Sequence, residues 1–203
     1  RKLHDAAEQR IVHSAEMLDR KSLASVGDTT GERLTALLTE TKAHTPEELA
    51  ANVARIGELL GRFALYVPAR FTDDPAEQAK YWAVRSGIFP AVGGSRPAGT
   101  TCLSEDVAFH IEDLPRATAE LQALIARHGY DACIYGHALE DNYHFIINQS
   151  FSPPAEVARY EALMNDVAEL VSAGTTARSK PSMARGATWR PSSAASRATT
   201  PWP

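Results

Sequence analysis

The sequence predicts an α+β fold, an antiparallel or mixed sheet of about five strands with helices packed on one side. Three observations predict it. Short stretches such as "LTALLTET" alternate apolar and polar residues with the two-residue period of a half-buried strand. Longer stretches between them carry apolar residues at helical spacing, as in Leu114, Ala117, Leu121, Leu124 and Ile125. Two helices open on the same signature, Thr45-Pro46-Glu47-Glu48 and Asp74-Pro75-Ala76-Glu77. In each, a capping side chain is followed by proline at the first helical position and by glutamate three residues after the cap.

Residues 1–20 are expected to form a helix with Ile11, Met17 and Leu18 as apolar contacts, and "SVGDTTGE" a loop. The strand from Leu34 places Leu34, Ala36 and Leu38 on one face. The helix after Thr45 carries Leu49, Val53, Ile56 and Leu60. "RFALYVPARF" alternates again, with Phe63, Leu65 and Val67 together. The helix after Asp74 runs through Tyr81, Trp82 and Arg85, and the glycines and prolines of "FPAVGGSRPAGT" end it in a long loop. "TTCLSEDVAFHI" reads as the next strand, followed by the Leu114 helix and by Gly129, which accepts the left-handed conformation after a helix end. "DACIYGHA" and "NYHFIINQ" are two strands joined by a tight polar turn. Ser152-Pro153-Pro154 begins the last helix, with Val157, Tyr160, Leu163, Met164, Val167 and Val171.

At 203 residues, 44% hydrophobic and 23% charged, the composition is that of an ordinary globular protein. No run approaches the roughly 18 apolar residues of a membrane span, and no signal-peptide pattern opens the chain. The first residue is Arg, so the sequence is expected to begin inside a longer protein. Cys102 and Cys133 are too few for a disulfide framework and read as reduced thiols. A formal charge of −4 gives no reason to propose nucleic acid as a partner. That total hides a split. Residues 174–203 hold five basic residues (Arg178, Lys180, Arg185, Arg190, Arg197) and no Asp or Glu, leaving 16 basic and 25 acidic residues and a net charge of −9 in 1–173.

The stretch "GHALEDNYHF" carries the most chemistry. In a hairpin centred between Glu140 and Asp141, His137 sits opposite His144, with side chains about 5 Å apart. Two neutral imidazoles so placed can converge on a divalent metal, yet two are fewer than the three protein ligands of a catalytic site. Structural histidines remain the alternative on spacing alone. Arg85 and Arg96 flank the Gly/Pro loop, and either can hold a carboxylate through its guanidinium fork or serve at the surface. Glu105-Asp106 in an apolar strand is either functional or the charged guard of an edge strand.

Several segments together resemble a known family: "LLTETKAHTPEELAANV", "YWAVRSGIFPAVGGSRPAGTTCLSEDVAF", "EDLPRATAELQALIARHGYDACIYGHALEDNYHF" and "PPAEVARYEALMNDV". They are similar to the C-terminal, substrate-side domain of FAD-linked oxidases, nearest the D-lactate and D-2-hydroxyglutarate dehydrogenases whose long forms also carry an iron–sulfur domain. The resemblance runs from about Glu16 to Val171. It implies a helical and loop lead-in from a preceding domain over 1–33, a cap domain over 34–173, and FAD held mainly by a separate N-terminal domain. The family motif G-H-x-x-x-G-N-x-H implies His137 and His144 as ligands of a divalent metal, Zn or Mn, and Asn142 as a residue near the flavin. Arg85 matches the arginine that contacts the substrate carboxylate. The implied reaction oxidises a D-2-hydroxy acid by hydride transfer to flavin, with His137, His144 and Arg85 catalytic and a quinone, cytochrome or iron–sulfur centre accepting the electrons. The implied location is cytoplasmic, or peripheral at the inner membrane through the acceptor. A non-catalytic α+β binding or assembly domain is the rival reading.

Three departures stand out. Asp141 replaces the motif glycine, where the turn can require positive φ. His110 stands where the family usually has Pro. The family's third metal ligand, a Glu in a segment like S-L-K-A-E-H-G-T-G-R, is missing from its place after the last helix. With suitable synonymous codons, the bases of "TTARSKPSMARGATWRP" read in another frame give D-G-S-L-K-A-E-H-G-T-G-R-N-M-A-P. The expectation is therefore a frameshift near Gly174, a disordered tail over 174–203, and a copy that is weakly active or inactive.

Overall fold

A five-stranded antiparallel sheet organises the residues that the computed structural model describes, 11–28 and 34–176. In chain order the elements are β1 (Ser14–Leu18), α1 (Arg20–Ser25), β2 (Ala36–Glu40), α2 (Pro46–Leu60) and α3 (Pro75–Gly94). There follow β3 (Thr101–Ala108), α4 (Leu114–Arg127), β4 (Cys133–His137), β5 (Asn142–Gln149) and α5 (Pro154–Thr176). The strands lie in the order β2-β1-β4-β5-β3, and every neighbouring pair is antiparallel. The expected α+β class and strand number are what the structure shows.

The helix starts follow from their caps. Thr45 accepts the Glu48 amide at 3.1 Å, and Glu48 returns a carboxylate oxygen to the His44 amide at 2.9 Å. Asp74 accepts the Ala76 amide at 2.9 Å. These bonds satisfy donors that the first helical turn leaves without partners. After α4, Gly129 takes φ 72°, as the helix-stop reading expects.

Alternation along the strands sorts residues to two faces. Met17, Val107, Ile134, Tyr143, Phe145 and Ile147 point to one face, where Leu121 of α4 and Leu163 of α5 close the main core. Leu18, Cys133, Tyr135 and Ile146 point to the other and meet Leu23 of α1 and Ile88 of α3 in a smaller cluster. Ile11 and Val12 pack on Ile56 of α2 in a third.

Three expectations are corrected. Residues 14–18, expected in a helix, form β1 between β2 and β4, because their backbone groups pair with strands on both sides. "RFALYVPARF" forms no strand. Phe63, Leu65 and Val67 are all exposed, and the stretch pairs with neither edge of the sheet. The helix after Asp74 does not stop at Phe89 but continues through Pro90 to Gly94. Packing of Ile88 and Val92 on the sheet holds that last turn together. The expectations for 1–10 and for the tail beyond Thr176, including the frameshift, lie outside the described residues.

Candidate functional site

The hairpin of β4 and β5 sets the geometry. His137 pairs with Asn142 and Tyr135 with His144, so four residues, Ala138 to Asp141, form the turn. The expected centre between Glu140 and Asp141, with His137 opposite His144, is therefore corrected to one between Leu139 and Glu140. The Glu140 amide closes onto the His137 carbonyl at 3.1 Å, and Asp141 follows at φ 58°. This is a tight turn completed by a left-handed residue, a common hairpin solution. The shift of register moves pairing by an even number of residues, so His137 and His144 keep a shared face as diagonal neighbours. Their ring centroids are 5.5 Å apart, edge to face. Gly136 is required beside them. A Cβ there would lie 2.5 Å from the Asn142 carbonyl oxygen.

The same face gathers partners from distant strands. Glu16 on β1 stands directly beside His137, and Asp106 on β3 directly beside His144. His137 Nδ1 lies 2.5 Å from Glu16 Oε1, and His144 Nδ1 is hydrogen-bonded to Asp106 Oδ1. An ionised carboxylate can only accept, so each Nδ1 carries a proton, and in the neutral imidazole each Nε2 then presents a lone pair. Arg85 enters from α3, one helical turn before Ile88, and donates Nε to Glu16 Oε2 at 2.8 Å. Its guanidinium lies 4.4 Å over the Tyr135 ring. Tyr135 in turn stacks at 5.3 Å against His144. Burial pushes the Tyr135 phenol above its ordinary range, opposed by the nearby Arg85 charge and by hydrogen bonds to Ser104 and Arg85. It therefore stays protonated at neutral pH.

Sequence reasoning named four of these residues, and the structure places all four on one face. Arg85, His137 and His144 cluster there, and Asn142 sits at the turn end of the same row. Glu16, Asp106 and Tyr135 complete the cluster. Asp106 had drawn notice within Glu105-Asp106; Glu16 had one signal, a lone acid in the apolar stretch "IVHSAEML". The acidic pair is split between faces, since Glu105 accepts the Tyr160 hydroxyl at 2.6 Å beneath α5. Arg96 is spent locally, donating to the Gly93 carbonyl at 2.6 Å and the Thr100 carbonyl at 3.2 Å. Cys133 is inert, because burial pushes its thiol up to about 12.

The donor set fits a metal only in part. Imidazoles held at Nδ1 by carboxylates are how proteins orient metal-ligating histidines. Among the described residues, however, no group of three His, Cys, Asp or Glu side chains could hold a metal ion. For a flavin the face offers a contact surface, with the His137 side chain 41% exposed and that of Asp106 61% exposed. No helix among the described residues is long and apolar enough to cross a membrane.

Comparison with known proteins bears on the family. No curated protein matches the chain. Among solved structures, p-cresol methylhydroxylase with substrate bound is similar at a TM-score of 0.56 and 13% identity, over 83% of this chain and 40% of that one. The 4-ethylphenol oxidase of Gulosibacter chungangensis, in an isoeugenol complex, gives a TM-score of 0.47 and 13% identity over 79% and 37%. The chain thus spans well under half the length of either. The family model described as FAD linked oxidases, C-terminal domain, matches residues 2–175. The chain belongs to that family, the C-terminal domains of FAD-linked oxidases.

Proposed function

We propose that this chain is the substrate-side domain of an FAD-dependent dehydrogenase acting on a D-2-hydroxy acid such as D-lactate or D-2-hydroxyglutarate. The observation that carries the reading is the convergence of one arginine and two oriented imidazoles on a single open face. A 2-hydroxy acid presents a carboxylate and, one carbon away, a hydroxyl whose proton must leave during oxidation. Arg85 supplies the cation for the first. Glu16 takes the Nε donor, and the guanidinium has further N–H groups for a carboxylate. A neutral Nε2 on His137 or His144 serves the second by accepting the hydroxyl proton, and the resulting imidazolium is stabilised by the carboxylate at Nδ1. A phenolic substrate, as in the names of the two structural neighbours, has no carboxylate for an arginine to recognise.

FAD, when bound, supplies the ring that accepts the hydride from the α-carbon. Asn142, at the turn end of the face, is the residue proposed to meet it. His137 and His144 would provide two ligands to a Zn or Mn ion, with any third coming from outside the described residues, so no step is routed through a metal. A quinone, cytochrome or iron–sulfur centre as electron acceptor remains part of the proposal for the whole protein.

Titration of the full chain with D-lactate, D-2-hydroxyglutarate and their L enantiomers, followed by nuclear magnetic resonance, tests the reading. The largest shifts should fall on Arg85, His137 and His144, exceed those from acetate, and vanish in Arg85→Gln. Shifts that are scattered, or that survive Arg85→Gln, would overturn it in favour of a non-catalytic binding or assembly domain.

A further inference from the structure

We propose that Glu16 is the positioning residue of this site, a single buried carboxylate that fixes Arg85 and His137 relative to each other. Glu16 is 4% exposed, on a strand whose other inward residues are apolar. A carboxylate removed from water is costly unless its lone pairs are taken by strong donors. Here both oxygens are taken, and by different functional groups: Oε2 accepts Arg85 Nε at 2.8 Å and Oε1 faces His137 Nδ1 at 2.5 Å. The three residues come from β1, α3 and β4, separated by 69 and 121 positions from Glu16. No local element could hold such groups in register.

Two consequences follow from the chemistry. Acceptance at His137 Nδ1 selects the tautomer whose Nε2 is a base. Acceptance at Arg85 Nε leaves the far edge of the guanidinium to be presented, with Tyr135 at 4.4 Å supporting the plane from one side. Cation and base are then held as a fixed pair, as a substrate with adjacent carboxylate and hydroxyl requires. Asp106 plays the same role toward His144 alone, but its side chain is 61% exposed and touches no arginine in the site. Glu16 is the partner that couples two groups.

The inference rests on the proposed reaction only for what the ordered pair does. Its geometry can be tested without substrate, in the full chain, through the imidazole nitrogen shifts of His137 and hydrogen exchange at Arg85 Nε. Glu16→Gln preserves size and can still accept from His137, but its amide N–H groups cannot accept from Arg85 in the same orientation. Exchange at Arg85 Nε should accelerate by at least about tenfold, the equivalent of losing one charge-assisted bond, while His137 keeps its Nδ1–H tautomer. Glu16→Ala should release both, giving a mixed His137 tautomer as well. Should Glu16→Ala fail to fold, Glu16→Gln decides alone, with the amide signals of Phe145 and Leu163 as the check on the core. Unchanged Arg85 exchange in folded Glu16→Gln overturns the proposal. Released groups together with wild-type shifts on hydroxy-acid addition that do not centre on Arg85 would leave the positioning role standing and sink the substrate assignment instead.

Discussion

Phe145 and His144 are consecutive residues of β5, yet they belong to regions built on opposite terms. Phe145 is wholly buried among Ile134, Ile147, Leu121 and Leu163, on a face where α4 and α5 exclude water. His144 faces Asp106, Tyr135 and His137, on a face that α3 touches through Ile88 and leaves open toward the hairpin turn. The strand's two-residue period is the only thing separating them. One set of alternate residues supplies the main hydrophobic core, and the other adds a smaller apolar cluster and holds the charged groups beside it.

The sharpest way to break this division is to truncate the two neighbours in turn. Phe145→Ala removes a fully buried ring and should cost about 4 kcal/mol, the range found for large-to-small core changes. His144→Ala, whose one ionic partner is largely exposed, should cost less than about 1 kcal/mol. Urea unfolding of both variants measures the pair. Equal losses would mean that the polar face is part of the stabilising core.

The same division explains what could be read in advance. Helices α2 and α3 declared themselves through local caps, and β5 through its own alternation, because those signals lie within a few residues. The parity of a hairpin is local too, so His137 and His144 fell on one face although the expected register was off by two residues. Strand β1 was illegible because "SAEML" fits a helix as readily as a strand, and only pairing with β2 and β4 decides. Glu16 went unassigned with it. Its role depends on contacts across 69 and 121 residues, which no local pattern encodes. The exposed Phe63–Val67 stretch failed for the converse reason, since its alternation is genuine but no strand of the described sheet pairs with it.

A smaller effect, of opposite sign, comes from the turn that carries the site. Asp141 sits at φ 58°, where a residue with a β-carbon is strained by roughly 1 kcal/mol relative to glycine. Asp141→Gly should therefore raise the thermal midpoint by about 3 °C for a chain of this size. It should do so without altering the His137–His144 contact, since the backbone already adopts the conformation. A fall in the midpoint would show that the Asp141 side chain contributes more than its backbone strain costs, and that the polar face helps to stabilise the hairpin after all.

The smallest effect lies on the core face, where a polar contact closes the seam between α4 and α5. Asp166 Oδ2 accepts Arg127 Nη2 at 2.7 Å and faces His128 Nε2 at 2.8 Å. Hydrogen bonds from His128 and then Arg127 hold its carboxyl below the ordinary value of 3.8. A carboxyl depressed in the folded state favours folding above its unfolded value, and that contribution disappears as pH falls through the lower folded value. Asp166→Asn should thus be slightly less stable than the parent at neutral pH, and the gap should close as pH falls below the ordinary carboxyl value and through the lower folded one. Because the contact is solvated, added salt should narrow the gap as well. A gap that persists unchanged to the acid end would place the contribution of Asp166 in packing instead of charge, making the seam as apolar in its energetics as the core around Phe145.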